Sequence, residues 1–172
     1  MSRSPPNRLA TFDIATSTGV AWGSLSDICR TDVWPLPLHD PVDTLACRVA
    51  SLENTTSRFL VRENIDLVVI AERFPGRSAA QIAVAYGLDA AVRVECWRAG
   101  IPLKWQSEST VRKETFGYTG SRQVMKAAAT SFCRHHNIDV LNDDAADAAV
   151  MWMWTRNQLV RKYGRKAFVG VI

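Results

Sequence analysis

No stretch of this chain is apolar for long enough to cross a bilayer. Its longest near-apolar stretch, around 145–154, falls well short of the ~20 residues a helical span needs. Cysteine is sparse, with 4 in 172 residues at 29, 47, 96 and 133 and no CxxC pair. That excludes a dense disulfide scaffold, and Cys133 with His135 and His136 lacks the second ligand pair of a zinc finger. Scattered cysteines without an apolar leader point to reduced, buried thiols in a cytoplasmic protein. A strong charge of one sign is also missing. Lys and Arg number 21 against 17 Asp and Glu, a net charge of +4, which permits a polyanionic partner without requiring one. There is no internal repeat, low-complexity block or linker, so one domain is expected over 9–163. A short polar end (1–8) is expected to fray ahead of it, and a basic tail (164–172) to follow.

What is present is ordinary for a globular domain: 47% hydrophobic and 22% charged residues. LATFDI (9–14) reads as a buried strand, TSTG as a turn and VAWGSL (20–25) as the returning strand of a hairpin. A third strand is expected over Cys29–Leu36. From Asp43 to Asn64 the apolar residues recur at helical spacing, with Asp43 or Asp40 as cap. LVVIA (67–71) is a continuous apolar run, as in a central strand covered on both faces. Ser78–Ala99 is an Ala-rich helix, apolar around much of its circumference, as expected of one packed on both sides. Ile101–Gln106 reads as a strand and Gly117–Gly120 as a loop. Helices then run from Ser121 to about His136 and from about Asp144 to Lys162. Strands early and helices later make an α/β pattern.

The acids carry the chemistry. Asp13 lies inside an apolar strand between Phe12 and Ile14, and burying a carboxylate there is costly unless something pairs with it. Glu72 ends LVVIA, where a solvated loop acid is the plain alternative. In NDDAADAAVMW (142–152), Asp144 and Asp147 share a helix face at i, i+3. Helix capping accounts for Asp143 or Asp144 but less well for Asp147, which sits in a run of alanines that lets the helix approach a sheet. Carboxylates converging from these elements would repel unless divalent cations relieved them. Oxygen donors with few His or Cys favour Mg²⁺ or Mn²⁺ over zinc. Such ions in pairs activate water and stabilise the leaving oxygen in phosphodiester cleavage.

FDIATSTGVAWG (12–23), LVVIAERF (67–74), VRKETFG (111–117) and DAADAAV (144–150) together resemble the RuvC family of Holliday junction resolvases. The likeness is greatest to the short versions encoded by phages and prophages. The resemblance spans most of 9–155 and implies an RNase H-like fold, with a mixed five-stranded sheet, antiparallel at first and then parallel, flanked by helices. It implies structure-selective cleavage of four-way junctions or other branched DNA, with two Mg²⁺ ions per site and Mn²⁺ able to substitute. The products would be 5′-phosphate and 3′-hydroxyl ends. The metal-binding and catalytic acids fall on Asp13, Glu72, Asp144 and Asp147, with Asp143 a rival to Asp144. Basic residues near the scissile phosphate fall on Arg112 or Lys113 and on Arg122 or Lys126, although Arg122 stands where a lysine is usual. Phe74 in the Pro-Gly loop resembles the aromatic wedge of such resolvases, with Arg77 beside it as a DNA contact. A twofold homodimer is implied, for which helix 78–99 is the expected interface, in a bacterial cell or phage-infected host.

The remaining aromatics, Trp22, Trp34, Trp97, Trp105, Trp152 and Trp154, read as packing residues. Ser109–His136 holds five basic residues against Glu114 alone, and the segment from Arg156 on holds five against none. Setting aside the four metal-binding acids leaves 13 acids against 21 basic residues, or +8 outside the site. Two alternatives stand beside the nuclease. One is a branched-DNA-binding module without catalysis. The other is an actin-like or sugar-kinase-like ATPase fragment suggested by ATSTG, for which the chain is short and a Gly-rich adenosine motif is missing.

Overall fold

The computed structural model describes residues 5–39, 43–72 and 78–164. A five-stranded sheet runs in the order β3-β2-β1-β4-β5. Its strands are β1 (Arg8–Asp13), β2 (Ser17–Ser24), β3 (Arg30–Pro35), β4 (Leu67–Ala71) and β5 (Leu103–Gln106). The first three are joined antiparallel, while β4 pairs parallel with β1 and β5 parallel with β4. The helices are α1 (Thr44–Arg62), α2 (Ala79–Arg98), α3 (Glu108–Phe116), α4 (Arg122–His135) and α5 (Asp143–Tyr163). This is the mixed, helix-flanked sheet expected from the sequence.

Side-chain alternation divides the sheet into two faces. Ala10, Phe12, Val20, Val68 and Ile70 pack under α1 and α2, where Phe59 meets Phe12, Trp22 and Trp34 edge-on. Leu9, Ala21, Leu67, Val69 and Ala71 pack under α3, α4 and α5. The same alternation turns Asp13, two residues beyond Thr11, toward the α5 side. Helix α5 is held there by polar contacts as well as apolar ones. Thr11 Oγ1 donates to the Ala148 carbonyl at 2.8 Å, and Trp152 Nε1 donates to the Leu9 carbonyl at 3.0 Å. Ala145, Ala146, Ala148 and Ala149 are fully buried, so the alanine run is the surface on which α5 lies against the sheet.

Several expectations need correction. The TSTG segment is not a turn: Ser17 already belongs to β2, and the reversal lies at 14–16. β1 begins at Arg8, and the Asn7 and Arg8 backbone N–H groups both donate to Asp66. Helix α3 was not anticipated. It is polar, its Ser107 N-cap makes no side-chain cap bond, and it ends at Gly117, whose φ of 78° suits glycine. The cap of α5 is Asn142, which accepts from the Ala145 N–H, while Asp143 and Asp144 fill the first turn. Trp97 and Trp105 are not packed inside: they are 82% and 50% exposed. Trp105 lies on β5, at the sheet's edge, with the Arg93 guanidinium 3.9 Å from its ring centre.

Cys29, Cys96 and Cys133 are buried and all four cysteines are free. Burial pushes the Cys29 and Cys96 thiols up to about 12 and Cys133 to about 11, so they are protonated at neutral pH. Among the described residues no helix is long and apolar enough to cross a membrane.

Candidate active site

The site forms where the C-terminal ends of β1 and β4 meet the first turns of α5. Asp13 ends β1 and pairs across the hairpin with Gly19. A Cβ on Gly19 would lie 1.9 Å from the Asp144 carbonyl oxygen, so only glycine lets α5 descend this far onto β2. Asp13 and Asp147 consequently line one narrow cleft with Ala71, Glu108, Val111, Arg112, Val150 and Met151.

Asp147 is a perturbed acid of the site. Burial raises its carboxyl to about 6, and the Arg112 guanidinium opposes that rise. Arg112 Nη2 stands 3.6 Å from Asp147 Oδ2 and 2.9 Å from Glu108 Oε2. On the other flank, Lys126 Nζ stands 3.1 Å from Asp143 Oδ2 and 3.8 Å from Asp144 Oδ1. The acids at the start of α5 are thus bracketed by a cation from α3 and one from α4.

Glu72 follows β4 directly and is anchored through its backbone, its N–H donating to the Gln106 carbonyl at 2.8 Å. It is exposed and does not line the cleft of Asp13 and Asp147. Lys113 is exposed on α3. Arg122 opens α4 and shares a surface hollow with Gln123, Lys126, Ala127 and Asp143. Phe74 and Arg77 lie outside the described residues. Glu108 was missed at the sequence level. Its i, i+4 spacing from Arg112 is legible only once α3 is recognised as a helix.

The donors suit a hard divalent cation in kind, being carboxylate oxygens with no imidazole or thiolate among them. Among the described residues, however, no three His, Cys, Asp or Glu side chains form a group ready to hold a metal ion. In this arrangement Arg112 and Lys126 supply the positive charge that the acids require.

No protein-family model and no curated protein matches the chain. Solved structures do match. Thermus thermophilus RuvC in complex with a Holliday junction substrate superposes with a TM-score of 0.67 at 16% identity, over 91% of this chain and 96% of that one. Another structure of T. thermophilus RuvC gives 0.64 at 19% identity over the same shares. The yeast mitochondrial Holliday junction resolvase Ydc2 gives 0.59 at 14% identity, over 96% of this chain and 85% of that one. The fold of this chain is therefore that of the RuvC-type resolvases.

Proposed function

We propose that this chain is a metal-dependent, structure-selective endodeoxyribonuclease that resolves four-way junctions or related branched DNA. The observation that carries the reading is the placement of Asp13 and Asp147 in one cleft, beside Arg112, in a fold shared with junction resolvases. Asp13, Glu72, Asp144 and Asp147 would hold two Mg²⁺ ions, with Mn²⁺ able to replace them. When bound, the cations supply a water-derived nucleophile and charge stabilisation for the leaving oxygen.

The chain's own residues do the rest. The Asp147 carboxyl, raised by burial, gains from any cation that replaces the solvent it has lost. Arg112 would pair with a phosphate oxygen next to the cleft, in the charge-assisted manner of guanidinium groups. Lys113, Arg122 and Lys126 lie along α3 and α4, where they would hold the flanking backbone. Contacts of that kind read shape and charge rather than base sequence. Phe74 and Arg77, which follow β4 in the sequence, are proposed as junction contacts.

Resolution needs two symmetric cuts, so a twofold dimer is proposed as the working assembly. Ile82, Tyr86 and Trp97 are exposed on α2, which makes this helix the proposed interface.

The test is incubation of a synthetic four-way junction with Mg²⁺ or Mn²⁺ and the wild-type, Asp13→Asn or Asp147→Asn protein. Paired nicks at symmetric positions with the wild type, and intact junction with both variants, are expected. An uncut junction under both metals overturns the nuclease reading. Tight binding without cutting establishes a branched-DNA-binding module instead.

A further inference from the structure

Arg112 and Lys126 are each held between two acids, and in both cases the shorter contact goes to the acid outside the proposed metal-binding set. Arg112 is 2.9 Å from Glu108 against 3.6 Å from Asp147. Lys126 is 3.1 Å from Asp143 against 3.8 Å from Asp144. The shorter distances are hydrogen-bond lengths and the longer ones are Coulombic contacts. Glu108 and Asp143 both stand in the first turn of a helix, α3 and α5, with side chains 42% and 52% exposed. Exposed pairs of this kind add little to stability. Their geometric effect is larger, because each fixes where a long, flexible cation comes to rest.

From this we infer that Glu108 and Asp143 are positioning residues. They draw Arg112 and Lys126 partly off Asp147 and Asp144, so that those carboxylates stay open to a divalent cation while both basic groups remain beside the site. The inference rests on the metal-dependent reading above. Without Glu108, the Arg112 guanidinium keeps Asp147 as an ion-pair partner, closes on it and competes with the cation. Without Arg112 that competition vanishes. The two substitutions therefore act in opposite directions on metal affinity, and the effect of Glu108 passes through Arg112. The same logic links Asp143 to Lys126.

The test is a Mn²⁺ titration of the full chain without DNA, with free Mn²⁺ read by its electron paramagnetic resonance signal. Glu108→Gln and Asp143→Asn should each weaken binding about two- to fivefold, the scale of a partly exposed charge pair. Arg112→Gln and Lys126→Gln should each tighten it. The double variant Glu108→Gln/Arg112→Gln should bind like Arg112→Gln alone. Melting temperatures within a few degrees of wild type show that the variants are folded. An unchanged Kd in Glu108→Gln, or an equal weakening in the Arg112→Gln background, overturns the inference but leaves the nuclease reading standing. A wild-type chain that binds no Mn²⁺ overturns both.

Discussion

Gly19 is the point at which Asp13 and Asp144 are brought together. It pairs with Asp13 across the β1–β2 hairpin, and its missing side chain leaves room for the Asp144 carbonyl, which a Cβ would approach to 1.9 Å. Both obstructing atoms nearest that position, the Asp144 oxygen and carbon, are backbone, so no rotamer change relieves the clash. Gly19→Ala should lower stability by about 1–3 kcal/mol, measured by urea unfolding. Junction cleavage should fall further than that loss explains, because the start of α5 must lift. Gly23→Ala is the control: its nearest contact is 3.4 Å, an ordinary van der Waals distance, and unfolding should move little.

Most of this arrangement was legible in the sequence, and the remainder shows where sequence stops. Asp13 stood out as a carboxylate in an apolar strand, and the alanine run around Asp147 announced a helix that lies close to a sheet. Alternation along β1 then decides which face Asp13 takes. The exposure of Trp105 was not legible, since it depends on β5 being an edge strand, and a strand's place in the sheet is not a local property. Helix α3 escaped notice because it is short and polar and buries only Val111. The pairings of Arg112 with Asp147 and of Lys126 with Asp144 depend on how α3 and α4 pack around α5, which spacing within either helix does not reveal.

Asp147 should leave a signature in the pH dependence of stability. Its carboxyl is raised by burial to about 6 from the ordinary value of 3.8. Between those values the folded chain holds the proton more tightly than the unfolded chain does. The protonated group's contribution is therefore fully present below about pH 4 and is lost as the pH rises through about 6. Asp147→Asn removes that dependence. In metal-free buffer, its stability relative to wild type should grow from pH 4 to 7 and then level off. Denaturant unfolding at several pH values measures the difference, and a flat difference would show that the acid is not strained in the fold. Added Mn²⁺ should reduce the advantage of the variant at pH 7, since only the carboxylate is stabilised by the ion.

Thr11 offers a test of how α5 is registered against β1. Its hydroxyl is fully buried and donates to the Ala148 carbonyl, one residue beyond Asp147. Thr11→Val keeps the shape and removes the hydrogen bond, so the expected cost is about 0.5–1.5 kcal/mol. Cleavage should fall through kcat with KM nearly unchanged, because the substitution touches the placement of Asp147 and leaves the basic surface intact. A change confined to KM would mean that α5 is held in register without this bond.

The basic residues on α3 and α4 can be sorted by salt. If Arg122 and Lys113 hold phosphates, each contributes to counterion release, and the slope of log K for junction binding against log salt should fall by about 0.9 per contact removed. Binding should be measured under non-cleaving conditions, with Ca²⁺ or no divalent cation. Arg122→Gln and Lys113→Gln are each expected to flatten the slope and to weaken binding to junction and linear duplex by similar factors, since a phosphate contact carries no preference for branching. Arg112→Gln should differ, because in the free protein Arg112 is already partnered by Glu108 and Asp147. Its transfer to a phosphate breaks contacts as well as making one, so its share of the slope should remain while its share of the affinity is smaller. An Arg112 variant that weakened binding more than Arg122→Gln would place the guanidinium on DNA at no cost to Asp147, and would separate its role from that of a counter-charge in the acid cleft.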